Sequence, residues 1–260
     1  MGANQPSETT LDRPLRVTNT NAGQLKDGDL FESGTELEEL LRSMLIQPAQ
    51  GTVSLSGTSP QTREMGDTFS PTLTADPTQN QSGPVDEVRI DGTIVSPSPY
   101  ELTPTFQIGA AADVQASRSF QAACDFEASD DFSALTATSG QVVYRGKRYI
   151  FYGTSNAAPA SSADVRGLGS SILDAQDGKV FSIDVPSGAT SVEFAYPKAL
   201  GTVQKIEFQG ALTSDVTADY NRSTVSVNGG AGDGSYAIDY YVYRREPQDS
   251  YSDVTVEVTI

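Results

Sequence analysis

The 260-residue sequence contains no histidine, no tryptophan and a single cysteine, and these scarcities exclude several kinds of active site. Without histidine there is no Ser-His-Asp triad, no Cys-His pair and no imidazole ligand for a metal. The one cysteine, Cys124, excludes an internal disulfide and a cysteine zinc site. We therefore expect a protein that is not an enzyme and that carries no resident cofactor.

Positive charge is also scarce, because 17 Lys and Arg residues stand against 34 Asp and Glu residues, a formal net charge of −17. This charge repels phosphate backbones and anionic lipid surfaces, so we expect neither a nucleic-acid partner nor membrane insertion. Only five of the cations are lysine. An acid-rich, lysine-poor surface favours a halophilic host, in which salt screens the repulsion. The alternative is an ordinary acidic protein that its charge keeps soluble.

The first 48 residues predict an extended arm followed by one amphipathic helix. Residues 1–31 show no regular period, and the first ten, MGANQPSETT, lack the basic and apolar regions of a signal peptide. Thr35 and Glu38 then form a capping box, and Pro48 follows the helix. The helix carries one apolar stripe, which consists of Leu37, Leu40, Leu41, Met44 and Leu45. So short a helix is marginal alone, so we expect the stripe to pack on a sheet of its own chain or on copies of itself.

From Thr52 onward, short strand-like runs alternate with turn clusters, which is typical of an all-β sandwich. In a first block, residues 49–136, Val53 and Leu55 alternate with serines, and four runs follow: TFSPTLTA (68–75), VDEVRIDGTIV (85–95), YELTPTFQI (100–108) and SRSFQAACDFEA (117–128). Pro71 and Pro104 interrupt two of these runs, so we expect them at edges or bulges.

A second β-rich block covers residues 137–260. Its strand-like runs are QVVYRGKRYIFYG (141–153), KVFSIDVP (179–186), SVEFAYP (191–197), VQKIEFQG (203–210), STVSVNG (223–229), YAIDYYVYR (236–244) and DVTVEVTI (253–260). The first run predicts two strands that turn at Gly146, and a short helix capped by Ser162 is expected at 162–168. The last run alternates strictly, with valines and Ile260 on one face.

Two groups of carboxylates are candidates for a calcium site, since hard oxygen ligands on turns bind Ca²⁺. One group is Asp125, Glu127, Asp130 and Asp131, and the other is Asp174 and Asp177 before Gly178. Neither matches an EF-hand loop, and 228–234 lacks the period of a calcium β-roll. In so acidic a chain, solvated turns are the favoured interpretation. A glycosidase pair is disfavoured, because 34 carboxylates offer no means of choosing two.

Tyrosines crowd one strand near the C-terminus and are candidates for surface contacts. Tyr236 and Tyr240 are expected on one face of this strand, and Tyr241 and Tyr243 on the other. Exposed rings of this kind stack on sugars or anchor protein interfaces. The favoured alternative is cross-strand aromatic packing. Cys124 is expected to be a small buried residue.

Several segments taken together resemble virion structural proteins of tailed bacteriophages and haloarchaeal tailed viruses. They are FESGTELEELLRSML, REMGDTFSPTLTA, GKRYIFYGTS, FSIDVPSGATSVEFAYP, VSVNGG, YAIDYYVYRREP and VTVEVTI, and they extend from about Phe31 to the C-terminus. The resemblance implies a tail, baseplate, fibre or head-appendage component, with a polar arm, a short helix, an Ig-like domain and a C-terminal β-domain. It brings no catalytic residue.

The expected fold is therefore mainly β: an N-terminal arm and short α-helix (1–48) followed by two β-sandwich (Ig-like) domains, at 49–136 and 137–260. The expected function is a structural subunit of a virion that assembles in the host cytoplasm. Its expected partners are other virion proteins, copies of itself and a host surface receptor or glycan. The competing hypothesis is a carbohydrate-binding module of a cell-surface protein, with the tyrosine strand as its platform.

Overall fold

In a computed structural model of the chain, the described residues are 15–16, 30–31, 48–109, 114–129, 131–173, 180–209, 213–230, 236–245, 251 and 254–260. The helix predicted at the end of the N-terminal region lies outside them. The same holds for its apolar stripe, Leu37, Leu40, Leu41, Met44 and Leu45.

The protein is mainly β-structure. Its strands are β1 (Leu15–Arg16), β2 (Leu30–Phe31), β3 (Thr52–Gly57), β4 (Thr62–Glu64), β5 (Thr68–Phe69), β6 (Leu73–Thr78), β7 (Val85–Ile90), β8 (Thr93–Ile94), β9 (Glu101–Leu102), β10 (Phe106–Gln107), β11 (Gln115–Phe126), β12 (Leu135–Lys147), β13 (Tyr149–Gly153), β14 (Ser170–Leu173), β15 (Val180–Val185), β16 (Val192–Pro197), β17 (Lys205–Gln209), β18 (Ser214–Asp215), β19 (Tyr220–Val227), β20 (Ile238–Arg245) and β21 (Val254–Thr259). The described part also contains helix α1 (Ser162–Arg166) and two single 3-10 turns, Lys198–Leu200 and Thr217–Asp219.

Six sheets contain these strands. Their strand orders are β1-β2, β10-β5, β3-β6-β9, β4-β12-β11-β7-β8, β14-β13-β16-β20-β19 and β15-β21-β17-β18. The residues form two compact units, each discontinuous in sequence. Unit 1 comprises Met1–Ser54, Ala75–Tyr100 and Ala122–Gly140, and unit 2 comprises Leu55–Thr74, Glu101–Gln121 and Gln141–Ile260. Strand β12 runs across the predicted boundary between residues 136 and 137.

Unit 1 contains a β-hairpin where the sequence predicts one continuous strand over 85–95. β7 and β8 pair antiparallel, with Ile90 opposite Thr93. Asp91 and Gly92 form the two-residue turn and have φ angles of 49° and 78°. Positive φ at both central positions defines a type I′ turn, which Asp-Gly favours. The prediction of one strand was wrong because it overlooked this dipeptide.

The interior of unit 1 follows the alternation of its strands. β7 pairs antiparallel with β11, with Ala122 opposite Ile90 and Cys124 opposite Val88. The side chains of these four residues have no exposed surface, and Phe126 is 2% exposed. The burial predicted for Cys124 is therefore confirmed. Desolvation and the nearby charge of Asp125 raise the pKa of its thiol to about 11.

Both prolines that interrupt predicted strands mark a change of sheet in the observed fold. Pro71 lies between β5 and β6, and Pro104 lies between β9 and β10. β5 pairs with β10, whereas β6 pairs with β9. Proline cannot donate to a strand ladder, which explains why pairing stops there.

The turn predicted at Gly146 is absent, because this glycine lies inside β12 opposite Arg63 of β4. A Cβ atom at position 146 would stand 3.1 Å from Met65 and 3.2 Å from Ile108. Gly146 therefore permits close packing rather than a reversal of the chain. The break falls instead at Arg148, between β12 and β13.

Unit 2 is built around a five-stranded sheet whose central strand, β16, has six buried residues. One face packs on the four-stranded sheet β15-β21-β17-β18. This core includes Phe181, Ile183, Phe194, Tyr196, Ile206, Tyr243, Val256 and Val258. The other face carries a second cluster, which consists of Phe151, Val165, Leu168, Ala195, Val225, Val227, Tyr240 and Val242. The predicted alternation of β21 is confirmed, since Val256, Val258 and Ile260 are buried.

Candidate functional site

Unit 2 contains two buried carboxylates, Glu64 at 4% exposure and Glu193 at 0%. A buried carboxylate is strongly destabilising unless cations and hydrogen-bond donors surround it. Each of the two is held by an arginine that another element supplies. Neither ion pair was predicted from the sequence.

The first pair joins β4 to helix α1. Arg166 binds Glu64 through two parallel contacts, Nη1 to Oε1 at 2.6 Å and Nη2 to Oε2 at 2.8 Å. Nη1 also donates to the backbone carbonyl of Asn228 at 3.0 Å. Hydrogen bonding to Glu64 raises the pKa of Arg166 above its ordinary value. Two-point geometry of this kind is the strongest form of a protein ion pair, and it fixes the orientation of both groups.

Local sequence explains why α1 presents Arg166 at this point. The Ser161 side chain accepts from the Asp164 amide at 3.2 Å, and the Asp164 carboxylate accepts from the Ser161 amide at 2.9 Å, which completes a capping box. These hydrogen bonds lower the pKa of Asp164 below its ordinary range. The helix predicted at 162–168 is thus present, but Ser161 caps it instead of Ser162. Arg166 occupies its last turn, where the helix dipole favours a cation.

A glycine loop closes the same site from the other side. The Gly230 amide donates to the Met65 carbonyl at 2.9 Å, and the Asn228 amide donates to the Ser162 hydroxyl at 3.0 Å. A Cβ atom on Gly229 would lie 2.5 Å from the Met65 carbonyl oxygen, and one on Gly230 would lie 1.9 Å from an oxygen of Asp67. Position 229 therefore requires glycine, because the obstructing atom belongs to the backbone, whereas at position 230 the Asp67 side chain would have to move. The loop fixes the segment after β4 against the beginning of α1.

The second pair lies within the five-stranded sheet. Arg244 of β20 faces Glu193 of β16 in register, and its Nε atom donates to Oε1 at 2.8 Å. Ser191 Oγ lies 3.2 Å from Oε2. Both carboxylate oxygens of Glu193 therefore have polar neighbours, Arg244 on the adjacent strand and Ser191 just before β16. Like Glu64, Glu193 acts as a counter-ion that joins two elements.

The four tyrosines proposed as surface contacts do not form one exposed platform. Tyr240 is 1% exposed and Tyr243 is 6% exposed, so neither presents its ring to a ligand in solution. Tyr240 donates to the Tyr149 carbonyl at 3.0 Å, and Tyr243 stacks on Phe194 with ring centroids 5.1 Å apart. Burial raises the pKa of Tyr240 above its ordinary range. The favoured alternative, cross-strand packing, describes these two residues.

The other two tyrosines are partly exposed. Tyr236 precedes β20 with a φ of 64°, so its expected place on the strand was wrong. Its hydroxyl lies 3.4 Å from the Gln107 side chain. Tyr241 lies on β20 on the same face as Tyr243, as predicted, and the guanidinium of Arg222 stands 4.8 Å from its ring centroid. Tyr236 and Tyr241 therefore contact different residues and do not form one aromatic surface.

Of the predicted calcium ligands, the structure describes Asp125, Glu127 and Asp131, whereas Asp130, Asp174 and Asp177 lie outside the described residues. Arg89 pairs with one oxygen of Asp125, and the Thr136 hydroxyl donates to the other at 2.6 Å. Among the described residues, no group of three or more carboxylates or thiols is arranged to bind a metal ion. Asp125 thus serves an ion pair of the β7–β11 ladder.

No known protein family matches the chain, and neither a curated protein nor a solved structure is significantly similar to it. Within the part of the chain that the structure describes, no helix combines the length and the apolar character that a membrane crossing demands.

Proposed function

We propose that this chain is a non-enzymatic structural subunit of a tailed-virus particle, built from an N-terminal assembly element and two Ig-like β-sandwich domains. The observation that carries the proposal is that the two buried carboxylates form structural ion pairs. Glu64 and Glu193 are each locked to an arginine of another element. A catalytic carboxylate must be able to reach a substrate or exchange a proton, whereas these two hold strands and a helix in place.

The segments that carry the resemblance to virion proteins support the same function. REMGDTFSPTLTA forms β4 to β6, and FSIDVPSGATSVEFAYP forms β15 and β16. Their apolar residues include Phe181, Ile183, Phe194 and Tyr196, which belong to the hydrophobic core of unit 2. The resemblance thus rests on residues that determine packing, which is what a structural module retains.

Assembly is assigned to residues 1–48, and the hydrogen bonds just after this region support that limit. Ala49 exchanges two hydrogen bonds with Gln81, and the Gly51 amide donates to the Ser82 hydroxyl at 2.8 Å. Asn80 donates to the Gln50 carbonyl at 2.7 Å. Residues 49–51 are therefore anchored to unit 1 by contacts that do not need the preceding chain.

Quantitative mass spectrometry of gradient-purified particles tests this function. The proposal expects a constant molar ratio of this chain to the major capsid protein across the particle peak and after a salt wash. An abundant host protein in the same fractions is the matched control, and its ratio should fall with washing. A chain that is absent from the particles, or that washes away with the host protein, would refute a structural role.

A further inference from the structure

We propose that a basic pocket on the outward face of β11 and β12 binds an acidic saccharide, through a carboxylate or sulfate group on one sugar unit. The pocket has a volume of about 290 Å³ and is lined by Gln115, Ala116, Ser117, Arg145 and Lys147. Such a saccharide would be the host-surface partner of the proposed virion subunit. In that respect the inference rests on the proposed function.

Strand alternation places four of the five lining residues, Gln115, Ser117, Arg145 and Lys147, on the outward face. Tyr144 and Gly146 are buried on the inner side of β12. Because side chains alternate along a strand, Arg145 and Lys147 face outward. On β11, Phe120 is buried, whereas Ser117 and Gln115 are exposed. The two strands thus contribute two cations, one hydroxyl and one amide to a single concave surface.

The charge of this pocket contrasts with the rest of the molecule. The chain has two acidic residues for every basic one, yet no Asp or Glu occurs at 114–124 or at 132–163. Four other arginines have carboxylate partners: Arg89, Arg166, Arg244 and Arg245. Among the described residues, no carboxylate forms an ion pair with Arg145. An exposed guanidinium beside Lys147 is a site for an oxyanion from outside.

Size and lining favour a sugar over an acidic protein segment. Ligand pockets usually measure about 300–1,000 Å³, so this one lies at the lower limit and suits a single ring. Four of its five lining side chains carry groups that are able to form hydrogen bonds, which suits the hydroxyl groups of a saccharide.

Calorimetric titration of the full-length protein tests the proposal with four probes: dextran sulfate, polygalacturonate, unmodified dextran and poly-glutamate. We expect at least one anionic saccharide to bind, no measurable binding of unmodified dextran, and poly-glutamate weaker by about tenfold or more. Arg145→Gln should weaken saccharide binding by about tenfold, because it removes a charge-assisted contact. Arg222→Gln makes the same change of charge outside the pocket and should stay within about twofold.

A second pair of variants guards against misfolding. Ser117→Glu places a negative charge in the pocket and should abolish binding, whereas Ser119→Glu adds the same charge to an exposed position of β11 outside the lining. Circular dichroism checks that all four variants fold. Equal losses for Arg145→Gln and Arg222→Gln would overturn the proposal in favour of diffuse attraction. Preference for poly-glutamate would assign the pocket to a peptide, and no binding of either anionic saccharide would refute it. None of these results affects the measurement on particles.

Discussion

The Glu64–Arg166 pair makes an asymmetric prediction, because its two partners differ in their access to water. The Glu64 side chain is 4% exposed, whereas that of Arg166 is 30% exposed. Arg166→Gln leaves a buried carboxylate without its cation, and such a charge costs about 3–5 kcal/mol of unfolding free energy. Glu64→Gln leaves a guanidinium that reaches solvent and still donates to Asn228, so we expect a loss of about 1–2 kcal/mol.

Urea denaturation followed by far-ultraviolet circular dichroism measures both losses, provided that the dependence on urea is the same in all variants. The double variant should lose less than the two single losses added together, since it removes both charges of the pair and leaves no unpaired carboxylate. Lys198→Gln is the control, because its pair with Asp239 is 3.6 Å long and about half exposed, and it should change stability by less than about 1 kcal/mol. A larger loss of unfolding free energy for Glu64→Gln than for Arg166→Gln would contradict the claim that an unpaired Glu64 is the more costly of the two charges.

Three further predictions concern salt, acid and the buried thiol. Salt should raise the melting temperature between about 0.1 M and 2 M KCl, because screening relieves repulsion among 34 carboxylates; an unchanged or lower value would contradict a halophilic surface. The lowered pKa of Asp164 stabilises the fold above its ordinary value of 3.8, and this contribution disappears as the pH falls through the folded pKa. The melting temperatures of wild type and Asp164→Asn should therefore converge in acid, and a constant difference would argue against the capping box. Cys124, with a pKa of about 11, should be ionised in about one molecule in a thousand near pH 8 and should react with iodoacetamide only after unfolding; rapid native labelling would contradict its burial.

Regular alternation made much of the strand structure predictable from sequence. The run 253–260 alternates over its whole length, and the structure contains β21 with Val256 and Val258 buried. The hairpin at Asp91-Gly92 was also predictable from the sequence, because that dipeptide favours a two-residue turn. Gly146 was misleading, since glycine serves turns and close packing alike. Sequence alone does not distinguish these uses without knowledge of the neighbouring side chain, here Met65.

The ion pairs were not predictable from local pattern. Glu64 and Arg166 are 102 positions apart, and no spacing rule relates them. Among 34 carboxylates, nothing in the sequence distinguishes the two that the fold buries. The only related feature of the sequence is the Gly229-Gly230 pair. It indicates that another backbone segment lies close by, but it does not indicate which segment. The expectation for the tyrosine strand was incomplete for a related reason, because two packed layers bury Tyr240 and Tyr243 on opposite faces of one sheet.

A competition assay for incorporation into particles is the most direct test of assembly through residues 1–48. Full-length chain and a chain that lacks residues 1–48, which keeps the anchors at Ala49 and Gly51, are expressed together during infection and counted in purified particles by mass spectrometry. We expect that the full-length chain enters at a fixed copy number, and that the truncated chain is soluble but excluded. Leu41→Asp should be excluded as well, since it places a charge in the apolar stripe. Equal incorporation of full-length and truncated chains would contradict assembly through residues 1–48, and absence of both from the particles would contradict the virion function itself.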